Sequence, residues 1–262
     1  LNKIDKQTTK GSSLYVTLEP CSHYGKTPPC TNIIIDKKIS RLVFGAHDID
    51  ERSSKRAKQI LKSKKIKVKN INMPMINEFY KSYIFQRKYK QPYVVGKIAC
   101  SKDFFIKSLK SKYISNTYAQ SFSHHLRYKN QAILVTYKTI NEDNPLLDCR
   151  LSGLNEFSPV KVIIDKDLKV KKNANIFKVK NTKIIIFYNS GNKKKIKSLK
   201  GKRIKLINVK LNKNGEFELK KIMSILYQNN IRFLLVEGGN QFTNKMLDKN
   251  LFNEFYLIKT DN

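Results

Sequence analysis

Two cysteines nine residues apart carry the densest chemistry in this sequence. Cys21 and Cys30 lie in the run Thr17-Leu-Glu-Pro-Cys-Ser-His-Tyr-Gly-Lys-Thr-Pro-Pro-Cys30, and each directly follows a proline. A buried pair of free thiols is the ordinary reading of two such residues. Here Cys30 opens an amphipathic segment, Thr31–Ile39, able to form a helix, and thiolates held at a loop and a helix N-terminus are favoured by the local positive potential. Zinc takes such ligands tetrahedrally and keeps a position for water when a third protein ligand comes from elsewhere. In zinc deaminases that ligand belongs to a His-x-Glu element, whose Glu shuttles protons while the metal activates water. The chain holds no such element: His23 is followed by Tyr-Gly, His47 by Asp-Ile, His124 by His-Leu and His125 by Leu-Arg. The catalytic residues of a deamination are therefore unassigned.

A second concentration lies further along. Arg127 precedes an apolar run, Ala132–Tyr137, which is followed by Thr139-Ile-Asn-Glu-Asp-Asn-Pro145 and then Leu147-Asp-Cys-Arg150. A Thr hydroxyl and backbone amides just past a strand's carboxyl end can hold the phosphates or ribose of a dinucleotide. Leu234-Leu-Val-Glu-Gly-Gly239 reads as a buried strand ending in a diglycine before an amphipathic stretch. Glycine at such a turn lets the backbone approach an anion, although a lone Glu-Gly-Gly is usually a plain tight turn.

The elements that must position these residues alternate between short β-branched runs and longer amphipathic stretches, the βα pattern. Strands are predicted at Leu14–Leu18, Arg41–Ala46, Ile66–Val68, Tyr93–Ala99, Ala132–Tyr137, Val160–Asp165, Lys183–Tyr188, Ile204–Val209, Arg232–Val236 and Glu254–Ile258. Helices are predicted at Ser53–Lys64, Ile76–Lys90, Thr117–Lys129, Phe217–Gln228 and Gln241–Leu247, and Asn192–Lys200 reads as a solvated helix or loop. The fold class is α/β, with largely parallel sheets covered by helices. A boundary is expected at Lys88–Pro92, where a basic helix gives way to Gln-Pro and a new strand, dividing the chain into 1–90 and 91–262.

Composition bounds the function classes. The 262 residues, 40% of them hydrophobic, suffice for one large or two medium cores. No apolar run approaches the roughly 18 residues that span a bilayer, and Leu1 to Lys10 lacks the apolar core of a signal peptide. A cytoplasmic protein without a membrane partner is expected. Four cysteines are too few and scattered for a disulfide scaffold, and a chain that starts at Leu reads as a fragment. The formal charge of +33 suits a polyanion partner. Lysine outnumbers arginine several-fold, however, and is spread along the whole chain, whereas arginine is the better residue for bidentate phosphate and base contacts. The charge is read as compositional background, with no specific nucleic-acid partner. Homo-oligomerisation is left open.

The cysteine segment resembles the bifunctional diaminohydroxyphosphoribosylaminopyrimidine deaminase / 5-amino-6-(5-phosphoribosylamino)uracil reductase family of riboflavin biosynthesis, which carries its zinc cysteines in this same Pro-Cys-Ser-His-x-Gly-x-Thr-Pro-Pro-Cys. The resemblance implies Zn²⁺ bound by Cys21 and Cys30, with the family's His-Ala-Glu lying upstream of Leu1. His23 sits inside the motif but is not the family's zinc histidine. Nucleobase and tRNA deaminases place the two cysteines much closer, so the insert Ser22–Pro29 argues against them.

The resemblance continues from Pro92 to the end. Lys97-Ile-Ala-Cys-Ser-Lys-Asp103 matches the strand that opens the family's reductase, with Phe104-Phe105 departing from its usual continuation. Ser111-Lys-Tyr-Ile-Ser115 matches a Ser-x-Trp-Ile-Thr pattern with Tyr113 in place of Trp, and Lys166 replaces a serine frequent after the strand Val160–Asp165. The implied NADPH-binding residues are Cys100, Tyr113, Thr139, Asp143 and the run Gly239, Asn240, Gln241, Phe242, Thr243, Asn244 and Lys245. The implied substrate-binding residues are Ser111, Arg127, Leu147, Arg150 and Glu237, the substrate being a small phosphorylated pyrimidine. The resemblance implies a truncated cytidine-deaminase-like α/β/α sandwich followed by a dihydrofolate-reductase-like α/β domain, incomplete at both ends. Its activities would be hydrolytic deamination of 2,5-diamino-6-(5-phosphoribosylamino)pyrimidin-4-one, then NADPH reduction of the product's ribose to ribityl. Without a His-x-Glu element the deaminase step is expected to be inactive in this chain. Two rivals are a nucleic-acid-acting zinc deaminase and a non-catalytic zinc-stabilised binding module. Neither predicts affinity for NADPH.

Overall fold

The computed structural model describes residues 1, 3–53, 56–103, 116–179 and 182–259. Contacts divide the chain into two units, Leu1–Lys90 and Gln91–Asn262. The first unit ends where Lys90 adopts the left-handed conformation (φ 53°) and its N–H returns to Gln86 O, a helix C-cap.

Unit 1 runs α1 (Lys6–Thr9), β1 (Ser13–Leu18), α2 (Cys30–Asp36), β2 (Arg41–Ala46), α3 (Arg56–Ser63), β3 (Lys67–Asn70), α4 (Pro74–Phe79) and α5 (Lys81–Tyr89). Its three strands form a parallel sheet in the order β1-β2-β3. The core collects Ile34, Leu42, Phe44 and Leu61. A single helix expected over Ile76–Lys90 is two helices. Proline supplies a favourable first residue for α4 at Pro74, and Tyr80 forms the joint between α4 and α5, its hydroxyl 2.8 Å from Thr17 Oγ1 of β1.

Unit 2 continues with β4 (Tyr93–Cys100), α6 (Thr117–Lys129), β5 (Ala132–Thr136), α7 (Tyr137–Asp143), β6 (Val160–Ile164), β7 (Ile184–Tyr188), α8 (Lys193–Leu199), β8 (Ile204–Asn208), α9 (Leu219–Gln228), β9 (Phe233–Val236), α10 (Asn240–Asp248) and β10 (Glu254–Lys259). Seven parallel strands lie in the order β10-β4-β9-β5-β6-β7-β8. Strands such as Ala-Ile-Leu-Val-Thr and Ile-Ile-Ile-Phe-Tyr are nearly continuous apolar runs, as expected where both faces are covered. On one face Ala132, Leu134, Val162, Leu234 and Val236 pack with Ile222, Met223 and Leu226 of α9 and Met246 of α10. The strand expected to end at Tyr137 stops at Thr136, because the Thr136 hydroxyl accepts the Thr139 N–H and starts α7. Asn192–Lys200 resolves as helix α8, capped by the Asn192 side chain on Lys195 N. Among the described residues no helix is long and apolar enough to cross a membrane.

Candidate active site

The order of the large sheet creates a crevice. Neighbouring strands β5 and β9 send their connections in opposite directions, β5 through α7 to β6 and β9 through α10 to β10 on the far side of β4. Such a topological switch point opens a gap outside the carboxyl ends of the strands, where α/β sheets bind ligands. Thr139 lies on α7 at this gap, and Gly239 faces it as the N-cap of α10 with φ 76°. A Cβ on Gly239 would stand 3.3 Å from Thr139 Oγ1, so the glycine serves both a positive φ and a close approach. No side chain caps α10. Its first N–H groups, from Asn240 to Phe242, therefore face the gap with the positive end of the helix, an arrangement suited to an anion.

Beneath the gap sits an ionic triad. The Glu237 carboxylate accepts hydrogen bonds from Arg127 Nε (3.1 Å, Oε1) and Nη2 (3.0 Å, Oε2), and Lys97 Nζ lies 3.2 Å from Oε2. All three side chains are 11–12% exposed. Lys97 comes from β4, Arg127 from α6, and Glu237 follows β9, its N–H bonded to Leu134 O of β5. Burial pushes the Glu237 carboxyl up, but the charges of Arg127 and Lys97 and their hydrogen bonds outweigh it, leaving the pKa at about 2. The site is thus a fixed carboxylate with two cations at the foot of an anion-attracting helix end.

The segment 147–150 closes the same side. Leu147 is buried with φ 53°. Asp148 O accepts from Arg127 Nη1 at 3.3 Å and lies 3.1 Å from His124 Nδ1, while Arg150 N lies 3.2 Å from that same Nδ1. Asp148 Oδ1 is 3.3 Å from Arg150 Nε without hydrogen-bond geometry. Lys161 of β6 is fully buried, and its ammonium has no hydrogen-bond partner among the described residues. Burial lowers its pKa to about 8 against the opposing pull of Asp148, with Arg203 and Arg127 adding to the lowering.

In unit 1 the chain brings Cys21 and Cys30 together: the Cys30 N–H donates to Cys21 Sγ at 3.2 Å. Burial and then the neighbouring Cys21 side chain push the Cys30 thiol up, opposite to the thiolate expected at a helix start, since two adjacent thiols resist ionising together. Among the described residues no group of three or more His, Cys, Asp or Glu side chains could hold a metal ion. His23 Nδ1 is 2.7 Å from Ser53 Oγ and His47 Nδ1 is 2.8 Å from Glu19 Oε2. Two thiols do not complete a zinc site, which takes at least three protein ligands.

Of the expected ligand-binding residues, the structure joins Arg127 to Glu237 and Thr139 to Gly239, and Arg127 reaches the backbone between Leu147 and Arg150. Cys100 is buried at the carboxyl end of β4. Asp143 is exposed at the last residue of α7, and Arg150 is exposed. Within Gly239–Lys245, Thr243 is buried and Phe242 packs over Gly238, so these two offer backbone rather than side chain. Lys245 pairs with Glu216, and Gln241 Oε1 accepts from Lys138. Ser111 and Tyr113 lie outside the described residues. Sequence reasoning passed over Lys97, His124 and Lys161. A lysine alone in the runs Tyr-Val-Val-Gly-Lys-Ile-Ala-Cys and Val-Lys-Val-Ile-Ile was the available signal for two of them.

Comparison with known proteins identifies the family and the fold. The family model for the RibD C-terminal domain matches residues 92–259. A riboflavin biosynthesis protein RibD from Aquifex aeolicus is 32% identical over 258 residues, covering 96% of this chain and 70% of the relative. Its counterpart from Bacillus amyloliquefaciens is 32% identical over 252 residues, covering 94% and 67%. The crystal structure of a diaminohydroxyphosphoribosylaminopyrimidine deaminase / 5-amino-6-(5-phosphoribosylamino)uracil reductase from Thermotoga maritima superposes with a TM-score of 0.79 at 26% identity, covering 97% of this chain and 68% of that one. Acinetobacter baumannii RibD shares the fold with a TM-score of 0.80 at 24% identity, covering 99% and 72%. With an α/β fold of parallel sheets and a family domain filling the second unit, the chain belongs to the RibD family of riboflavin biosynthesis proteins.

Proposed function

We propose that unit 2 is an NADPH-dependent reductase that converts the ribose of 5-amino-6-(5-phosphoribosylamino)uracil to a ribityl chain. The observation that carries this reading is the crevice at the β5/β9 switch point, with Gly239 against Thr139 above and the Glu237–Arg127–Lys97 triad below. The uncapped start of α10 and the Thr139 hydroxyl would hold the phosphates and ribose of NADPH, with Cys100 at the carboxyl end of β4 and Asp143 at the end of α7. The cofactor, when bound, supplies a hydride. The protein's part is orientation and electrostatics: Glu237 is a fixed acceptor for substrate hydroxyls or ring N–H groups, and Lys97 and Arg127 are donors for carbonyl oxygens. Exposed Arg150 is suited to the substrate's phosphate. Titrating the protein with NADPH, then following NADPH oxidation with the phosphoribosylaminouracil, tests the reading. Saturable binding and turnover are expected; absence of NADPH binding by folded protein would remove it.

Unit 1 we read as the deaminase-like part of the family architecture, a reading supported by its parallel sheet and the cysteine motif. No catalytic step is assigned there, because among the described residues the donor set is two thiols without a third ligand. Deamination of the diaminopyrimidine by this chain is expected to stay at background.

A further inference from the structure

We propose that His124 is a positioning residue for Arg150, holding the segment 147–150 in place by accepting the Arg150 backbone N–H on its unprotonated Nδ1. This inference rests on the reading of Arg150 as a phosphate ligand. His124 and Arg127 stand three residues apart on α6 and so project from one face of the helix. They grip neighbouring points of the same segment: Arg127 Nη1 donates to Asp148 O at 3.3 Å, and Arg150 N lies 3.2 Å from His124 Nδ1. The grip continues through Cys149, whose Sγ lies 3.7 Å from His124 O and whose N–H donates to Ser158 Oγ at 3.1 Å.

The tautomer follows from satisfying every group. Nδ1 lies 3.1 Å from Asp148 O and 3.2 Å from Arg150 N, so it can donate to the first or accept from the second, but not both. Asp148 O already has a donor in Arg127. The Arg150 N–H has its acceptor in His124 Nδ1. The tautomer protonated on Nε2 therefore leaves no backbone group unpaired, whereas a proton on Nδ1 turns a donor toward the Arg150 N–H. The charges facing the ring are Arg127 on its own helix and Asp148 and Arg150 on the segment, with the Cys149 thiol beside its backbone. Burial first, then Arg127 and Arg150, lower the His124 pKa, and the Asp148 carbonyl and charge oppose this. At neutral pH the ring is uncharged and the segment is held; acidification withdraws the acceptor and frees the backbone that carries Arg150.

The test compares His124→Asn, which keeps a non-titrating acceptor near the position of Nδ1, with His124→Phe, which keeps a ring and removes the acceptor. Dissociation constants for the phosphorylated substrate and for NADPH are measured from pH 5 to pH 8, with Arg150→Ala alongside. At neutral pH His124→Phe should weaken substrate about tenfold, His124→Asn only about two- to threefold, and NADPH should be unaffected by either. The ratio of His124→Phe to wild type should shrink toward one as pH falls, a comparison in which protonation of the substrate's phosphate cancels. Equal losses in the Asn and Phe variants, a pH-independent ratio, or a parallel loss of NADPH would overturn the proposal. If Arg150→Ala binds substrate normally, the phosphate reading of Arg150 fails and the inference with it. If Arg150→Ala is weakened but His124→Phe is not, only the inference fails.

Discussion

The Glu237 carboxylate and the Arg127 guanidinium meet edge to edge, each of the two carboxylate oxygens taking one hydrogen bond, 110 residues apart in sequence. Neither side chain has a reason to be nearly buried on its own, because an unpaired charge in that position is costly. Together with Lys97 they form a closed arrangement in which the carboxylate is never protonated near neutral pH.

Replacing Glu237 by Gln keeps the shape and strands two cations. Breaking a buried pair in this way costs about 3–5 kcal/mol, and both unfolding free energy and turnover should fall. The carboxylate's pKa is about 2 in the fold against 4.5 in the unfolded chain. Its stabilisation is therefore complete above pH 4.5 and is lost as pH falls toward 2. Denaturant titrations across that window should show wild type losing stability with acid more steeply than Glu237→Gln; parallel curves would contradict the assignment.

Lys161 is also shifted down, but for an ammonium that shift disfavours the charged form. Its pKa is lowered from 10.5 to about 8, so between these values the unfolded chain binds more protons than the fold and stability rises with pH. Lys161→Met removes this rise. The gap in unfolding free energy between the two proteins should move in favour of wild type by on the order of 3 kcal/mol across the window, measured by urea titration at several pH values. A constant gap would mean that the ammonium is not desolvated.

At the crevice, Gly239→Ala places a methyl group 3.3 Å from Thr139 Oγ1 at a φ of 76°. With ψ at 169° this backbone conformation is essentially restricted to glycine and should cost on the order of 1–3 kcal/mol of stability, and NADPH affinity should fall about tenfold. Thr139→Val, which removes the hydroxyl without that strain, should weaken NADPH with little change in melting temperature. Fluorescence titration separates the two effects, and NADPH binding indifferent to both changes would place the cofactor elsewhere.

Metal removal should leave this chain's fold unchanged. Cys21 and Cys30 offer two thiols only, and unit 1 has its own apolar core around Leu42, Phe44 and Leu61. Dialysis against a strong chelator should not move the thermal unfolding curve. A drop on chelation, restored by zinc, would show that a third ligand is recruited.

Regular elements were legible where pattern alone decides them. The apolar runs of β2 and β5 and the amphipathic α6 needed no tertiary information, and α6 begins at Thr117 because Asn116 caps it. β5 ends at Thr136 because that hydroxyl's local hydrogen bond to Thr139 N overrides the apolar pattern around it, whereas the joint at Tyr80 has no local signal, its hydroxyl meeting Thr17 across 63 residues of sequence. The site was legible only in part. Resemblance named Arg127, Glu237 and Gly239, but the roles of Lys97 and His124 depend on strands and helices whose neighbours the sequence does not specify. Nothing local to Lys97 says that β9 will lie beside β4.

That placement also has a consequence in time. The two walls of the crevice, Thr139 and Gly239, are separated by 100 residues of chain, and β9 inserts between β4 and β5 after β6, β7 and β8 have been made. During synthesis at about 5–20 residues per second, roughly 5–20 s pass between the two walls. Through that interval β4 and β5 each have an open edge on the side that β9 will occupy, and these apolar strands are templates for wrong pairing. The crevice is the last central seam of the sheet to close, so the nascent protein is most prone to aggregation at the seam proposed to hold its ligands.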